Sequence, residues 1–171
     1  MSAAGNPFLC TPNMDALAND GIRFTNVYCT SPVSGPSRAS IVTGLMAREA
    51  GVEWNDNSKL REGIQTVGDL LGENGYRTVW AGKWHIPEIY PQRSKDSVKY
   101  LHGFELLPFW DAPNKHWLLG AETDPPLTDA VVSFLDSYDK REKPLFLAVS
   151  YHNPHDICMY PRKVCLLYTS P

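Results

Sequence analysis

Three times along this chain a stretch with helical apolar spacing gives way to a run of β-branched, aromatic or aliphatic residues, and that alternation restricts the fold to layered α/β forms. "TPNMDALANDG" puts Thr11 at a helix N-cap and Pro12 at the first helical position. Met14, Leu17 and Ala18 then fall on one face, and Gly21 is the stop. "IRFTNVYC" follows with the composition of a strand, and "SRASIVTGLM" continues as a helix with Ile41, Val42 and Leu45 inward. "TVGDLLGENG" predicts a helix from a Thr66 cap to a Gly75 stop, and "YRTVWAGKWH" a strand running into Gly82. "LTDAVVSFLDSY" predicts a helix capped near Thr128. In "KPLFLAVSYHNPH" the apolar run from Leu145 to Val149 suits a strand buried on both faces of a parallel sheet. The expected architecture is therefore a mostly parallel sheet sandwiched by helices, with residues 88–126 as a long surface excursion carrying short elements.

The 171 residues suffice for one domain with a hydrophobic core. A net charge of -3, with Lys and Arg scattered, leaves no electrostatic footprint for nucleic acid or an anionic membrane. No stretch approaches the roughly 18 consecutive apolar residues of a membrane span. Residues 1–7 lack the charged and apolar blocks of a signal peptide. Cys10, Cys29, Cys158 and Cys165 show no C-x-x-C spacing and are expected to act as small, largely buried hydrophobes. Residues 164–171 follow none of the preceding logic and are expected to be a non-native tail.

Ligands of open α/β sheets bind beyond the carboxyl ends of the strands, and three polar clusters fall there: Ser34–Arg38, Lys83–His85 and Ser150–His155. The first reads two ways. It is either a tight turn with Ser37 as a helix cap and Arg38 on the surface, or an anion cradle. In the cradle, a side-chain oxygen stands near free N–H groups at a helix N-terminus and Arg38 adds a charged fork. Lys83 and His85 share a face if the extended geometry persists; otherwise they are a solvated lysine and a surface histidine. His155 either caps a turn or supplies an imidazole for proton transfer. Trp84 is expected in the core or a pocket wall, and His102 and His116 in structural roles. His152 stays open, and Asp56, Asp111 and Asp124 are expected as solvated loop carboxylates.

"SGPSRASIVTG" resembles the signature of the type I sulfatases, Cys or Ser followed by x-P-S-R-x-x-x-x-T-G, with Ser34, Pro36, Ser37, Arg38, Thr43 and Gly44 in register. "TPNMDALANDGIRFTNVYCTSP" resembles that family's lead-in, "AGKWHIP" its second signature and "SYHNPHD" a third. The resemblance implies an alkaline-phosphatase-like fold and hydrolysis of sulfuric esters of sugars or glycans. It further implies that Ser34 is oxidised to Cα-formylglycine, whose hydrate is the nucleophile. One hydroxyl attacks sulfur, and loss of the other's proton expels sulfate, avoiding the stable ester a plain serine would leave. A serine precursor points to the bacterial group matured by radical S-adenosylmethionine enzymes, with Ser34, Pro36, Ser37 and Arg38 as the maturation motif. By the same resemblance Arg38 would steady the hydrate and Lys83 bind a sulfate oxygen. His85 would bond the diol or the sulfate, and His155 would contact the sulfate or protonate the leaving alcohol.

The resemblance also implies calcium beside the modified Ser34, held by carboxylate and amide oxygens. In the family those ligands are an aspartate pair upstream and an Asp with Asn or His far downstream, and this sequence contains neither pair. Residues 1–163 are accordingly expected to be a partial catalytic domain. It would lack the first strand and the C-terminal part and be inactive alone, and the mature protein would be periplasmic or secreted. Two other functions stay open: a phosphomonoester or phosphodiester hydrolase using Ser34 directly, and a non-catalytic module that holds a sulfated ligand.

Overall fold

The computed structural model describes residues 1–56, 58–87, 100–107, 119–139 and 141–155. After a single 3-10 turn at Ser2–Ala4 come α1 (Pro12–Asp20), α2 (Ser34–Thr43), α3 (Ala47–Ala50) and α4 (Val67–Glu73). The strands are β1 (Arg77–Gly82), β2 (Tyr100–Leu101), β3 (Phe104–Leu106) and β4 (Leu145–Ser150), with α5 (Leu119–Ser137) ahead of β4. They form one sheet in the order β2-β3-β1-β4. β1 is parallel to both β3 and β4, and the short β2 is antiparallel to β3. Val79 pairs with Leu147, and Gly82 pairs with Ser150 at the carboxyl end.

Alternation along β1 sends its side chains to two cores, because successive strand residues point to opposite faces. Trp80 packs with Ala39 and Val42 of α2, Ala50 of α3, Trp84 and Phe104, while its neighbour Ala81 packs with Leu127 and Val131 of α5. Helices thus cover both faces, as the sequence predicts. Trp80 and Trp84 meet edge to face, with ring centroids 4.9 Å apart. On the β1–β3 side, Arg77 donates from Nε and Nη2 to the two Glu105 carboxylate oxygens, each at 2.9 Å.

Thr66 shows how a local signal becomes a tertiary tie. Its Oγ1 accepts the N–H groups of Gly68 and Asp69, Asp69 returns a bond to the Thr66 N–H, and the Thr66 hydroxyl reaches the His102 carbonyl at 2.7 Å. Thr66 is fully buried. Thr66→Val keeps the volume but strips the cap and the reach to His102, so unfolding in urea is expected to show a loss of about 2 kcal/mol. A loss below about 0.5 kcal/mol would contradict this reading.

Several expectations need correction, among them the inward Ile41, which is 73% exposed while its neighbour Val42 is buried. Ile22–Cys29 is not a strand: it lies outside the sheet, with Phe24 76% and Tyr28 88% exposed, because strand composition forms a strand only where a partner completes the ladder. Helix α1 forms from its Thr11–Pro12 start, yet Met14 and Leu17 meet solvent and no α1 residue is buried. Helix α5 begins at Leu119, and Thr128 lies inside it with its hydroxyl on the Asp124 carbonyl. Residues 88–126 contain short elements as expected, β2 and β3, but also the first two turns of the long α5. Cys10 and Cys29 are exposed, not buried; Cys158, Cys165 and residues 164–171 lie outside the described residues. The β4 strand is parallel as expected but only partly buried, because it is the last strand in the described sheet.

Candidate active site

Helix α2 starts at Ser34, earlier than a Ser37 cap would place it, with Val33 as N-cap and the Ser37 N–H already bonded to the Val33 carbonyl at 3.0 Å. Val33 offers no side-chain cap. The cap comes from elsewhere: Asn55 Oδ1 accepts the Gly35 N–H at 2.8 Å. Pro36 fits the first turn because its missing N–H would have had no helical partner. A Cβ on Gly35 would stand 3.0 Å from both Asn55 Oδ1 and Pro87 Cδ, so the close approach of this capping loop favours glycine there. Helical periodicity then places Ser34, Ser37, Arg38 and Ile41 on one side of an open cleft of about 450 Å³. Trp80, Ala148, Val149 and Ser150 form the sheet side of that cleft.

Ser34 Oγ lies 2.8 Å from Nδ1 of His85. The extended geometry that would set Lys83 and His85 on one face does not persist, because β1 ends at Gly82 and the chain turns through left-handed conformations at Gly82 (φ 84) and His85 (φ 53). A histidine at positive φ carries backbone strain, a feature that gathers at functional sites. Here it accompanies the contact between the imidazole and Ser34. Lys83 is buried at 8% exposure and joins the site through its main chain, its carbonyl accepting from Arg38 Nη1 at 2.9 Å. The same Nη1 donates to Ser150 Oγ at 2.9 Å, and the Lys83 N–H donates to the Ser150 carbonyl at 2.7 Å. Arg38 is thus part of the site and not an ordinary surface residue.

His155 is exposed in the turn that follows β4, its N–H on the His152 carbonyl at 3.0 Å. His152 is buried, with Nδ1 3.2 Å from Thr123 Oγ1. Asp124 is not a freely solvated carboxylate: its two oxygens accept the N–H groups of His152 and Asn153 at 2.9 and 3.0 Å. Asp124 therefore braces the turn that carries His155. Asp56 is exposed as expected, Trp84 is fully buried, and His102 stacks on Trp84 at 5.8 Å. His116 and Asp111 lie outside the described residues. Asn55 is the site residue that the sequence reading missed; Ser150 heads the third polar cluster, but nothing in the sequence pairs it with Arg38. The described residues alone do not fit a calcium site, since no group of three or more His, Cys, Asp or Glu side chains gathers among them.

A family profile described as Sulfatase matches residues 1–165. The chain belongs to the sulfatase family. This sulfatase chain is 38% identical to the N-acetylglucosamine-6-O-sulfatase of Bacteroides thetaiotaomicron over 160 residues, covering 91% of itself and 28% of that relative. Among solved structures, a 2-O GAG sulfatase superposes with a TM-score of 0.63 at 29% identity, covering 91% of the sulfatase chain and 32% of its own. The phosphonate monoester hydrolase of Agrobacterium radiobacter superposes with a TM-score of 0.67 at 24% identity, covering 91% and 38%, a likeness of fold alone. The sulfatase chain spans well under half the length of each. Its architecture is the alkaline-phosphatase-like one of sulfatase structures.

Proposed function

We propose that residues 1–163 are part of a longer catalytic domain that removes sulfate from a sulfated sugar or glycan, with Ser34 as the reactive position. The observation that carries this reading is the convergence of Ser34 and Arg38 on one helix face, with His85 on the Ser34 hydroxyl and Arg38 anchored at the strand ends. In the proposal a maturing radical S-adenosylmethionine enzyme reads Ser34, Pro36, Ser37 and Arg38 and oxidises Ser34 to formylglycine. Hydrated, that group supplies a nucleophile that needs no stable ester intermediate. The cleft beside Ser34, about 450 Å³, has room for a second oxygen on its side-chain carbon. Calcium, held by ligands outside the described residues, would add charge at the reacting oxygen.

His85 holds or takes the proton of the Ser34 oxygen through Nδ1, a task for which imidazole basicity is suited. Arg38 sets a permanent positive charge one helical turn from Ser34, where an anionic ester arrives. Lys83 binds a sulfate oxygen, and His155 contacts the sulfate or protonates the leaving alcohol. Export to the periplasm or medium belongs to the same proposal, as does a bacterial source. No described helix is long and apolar enough to cross a membrane.

The pairing of Ser34 Oγ with His85 Nδ1 also favours a second reading, a phosphoester hydrolase using the serine directly. N-Acetylglucosamine 6-sulfate and 6-phosphate share a sugar and a leaving oxygen, so the matured full-length protein separates the two. Hydrolysis of the sulfate ester at least about a hundredfold faster, read as kcat/KM, is the expected result; the reverse preference would sink the sulfatase reading.

A further inference from the structure

We propose that Ser150 is a positioning residue that sets the plane of the Arg38 guanidinium, and through it the seat of the anion beside Ser34. The proposal rests on the sulfatase reading above. Arg38 Nη1 carries two hydrogens and meets two acceptors, the Lys83 carbonyl and Ser150 Oγ, each at 2.9 Å. Two acceptors on different strand ends fix both the direction and the roll of a planar fork, which one acceptor cannot do. Ser150 also accepts the Lys83 N–H on its own carbonyl at 2.7 Å, so three bonds close a ring through α2, the end of β1 and the end of β4. The frame is stiff, because Ser150 is the last residue of β4 and pairs in register with Gly82.

Among the described residues, Ser150 supplies the one hydroxyl on the sheet side of the cleft, beside Trp80, Ala148 and Val149. With alanine at 150, Arg38 Nη1 would keep the Lys83 carbonyl and lose its acceptor on β4, and the guanidinium plane would be less tightly set. Misplacement of a positioned charge by about 1 Å can cost on the order of a hundredfold in rate, far more than a lost surface hydroxyl would.

The test uses the matured full-length protein and its Ser150→Ala and Ser150→Thr variants. Inorganic sulfate is titrated calorimetrically, N-acetylglucosamine 6-sulfate is turned over, and thermal midpoints are recorded. Ser150→Ala is expected to weaken sulfate binding about tenfold and to lower kcat/KM between about tenfold and a hundredfold; Ser150→Thr, which keeps the hydroxyl, is expected to restore both to within about threefold. Unchanged sulfate affinity in Ser150→Ala overturns the proposal. So does a threonine variant as impaired as the alanine one, which would mark a packing role. The sulfate titration needs no turnover, so a protein inert toward sulfate esters would count against the sulfatase reading while the titration still decides the role of Ser150.

Discussion

Arg38→Lys in the matured full-length protein is expected to lower kcat/KM for a sulfate ester by about a thousandfold, although it conserves the charge. The reason lies in the two bonds of Nη1, which spans the Lys83 carbonyl and the Ser150 hydroxyl while the rest of the guanidinium stays in the same plane. An ammonium group is a compact point donor on a flexible stem. It can satisfy one of those acceptors or turn toward an incoming anion, and it cannot hold a fixed plane while doing either. Bonds to a charged donor are also worth roughly twice neutral ones, so leaving either acceptor unfilled loosens the junction of β1 and β4. Steady-state kinetics of the two proteins measure the effect, and a variant within about tenfold of the parent would show that charge alone suffices.

The largest effect on stability is expected at Gly82. Its φ is 84, and an added Cβ would stand 2.2 Å from the Ser150 carbonyl oxygen and 2.7 Å from Leu127 Cδ2. The Leu127 tip can rotate away, but the oxygen belongs to the backbone of the paired strand and cannot. Gly82→Ala must therefore push β4 from β1, strain a left-handed backbone, or do both, for an expected loss of about 3 kcal/mol or more. The shift would also displace the carbonyl that accepts the Lys83 N–H, so sulfate affinity should fall with stability. Gly75→Ala is the comparison: φ is 85, but nothing lies within 4 Å of its added Cβ. Its expected cost is about 1 kcal/mol, the backbone part alone. Equal urea midpoints for the two variants would contradict the steric account.

What could be read ahead of the structure was local. The Thr66–Asp69 helix start rests on bonds within a few residues and the Thr11–Pro12 start on a proline at the first helical position, and both lie where the sequence puts them. β1 was legible because its composition and its Gly82 exit are also local. The start of α5 was not, since Pro125 and Pro126 read as a boundary yet lie inside the helix. Ile22–Cys29 carries strand propensity, but pairing is a tertiary event, and the same holds for the unpacked face of α1. At the site, Ser34, Arg38 and His85 were found by motif. Ser150 heads the third motif, but its bond to Arg38 was not legible and Asn55 was missed altogether, because these contacts act across 112 and 20 residues of sequence. Asp124 belongs with them: nothing in "TDPP" announces that both carboxylate oxygens will hold the backbone of a turn 28 and 29 residues on.

The crowded turn at Ser31–Gly44 presents Ser34 at the first position of a helix, and the proposed chemistry requires its oxidation. The most direct measurement is the mass of the peptide containing Ser34 after anaerobic co-expression with a serine-type maturing enzyme. The account predicts a peptide lighter by two hydrogens, with the change located at Ser34. An unmodified Ser34, obtained while a known substrate of the same enzyme is converted in parallel, would contradict it.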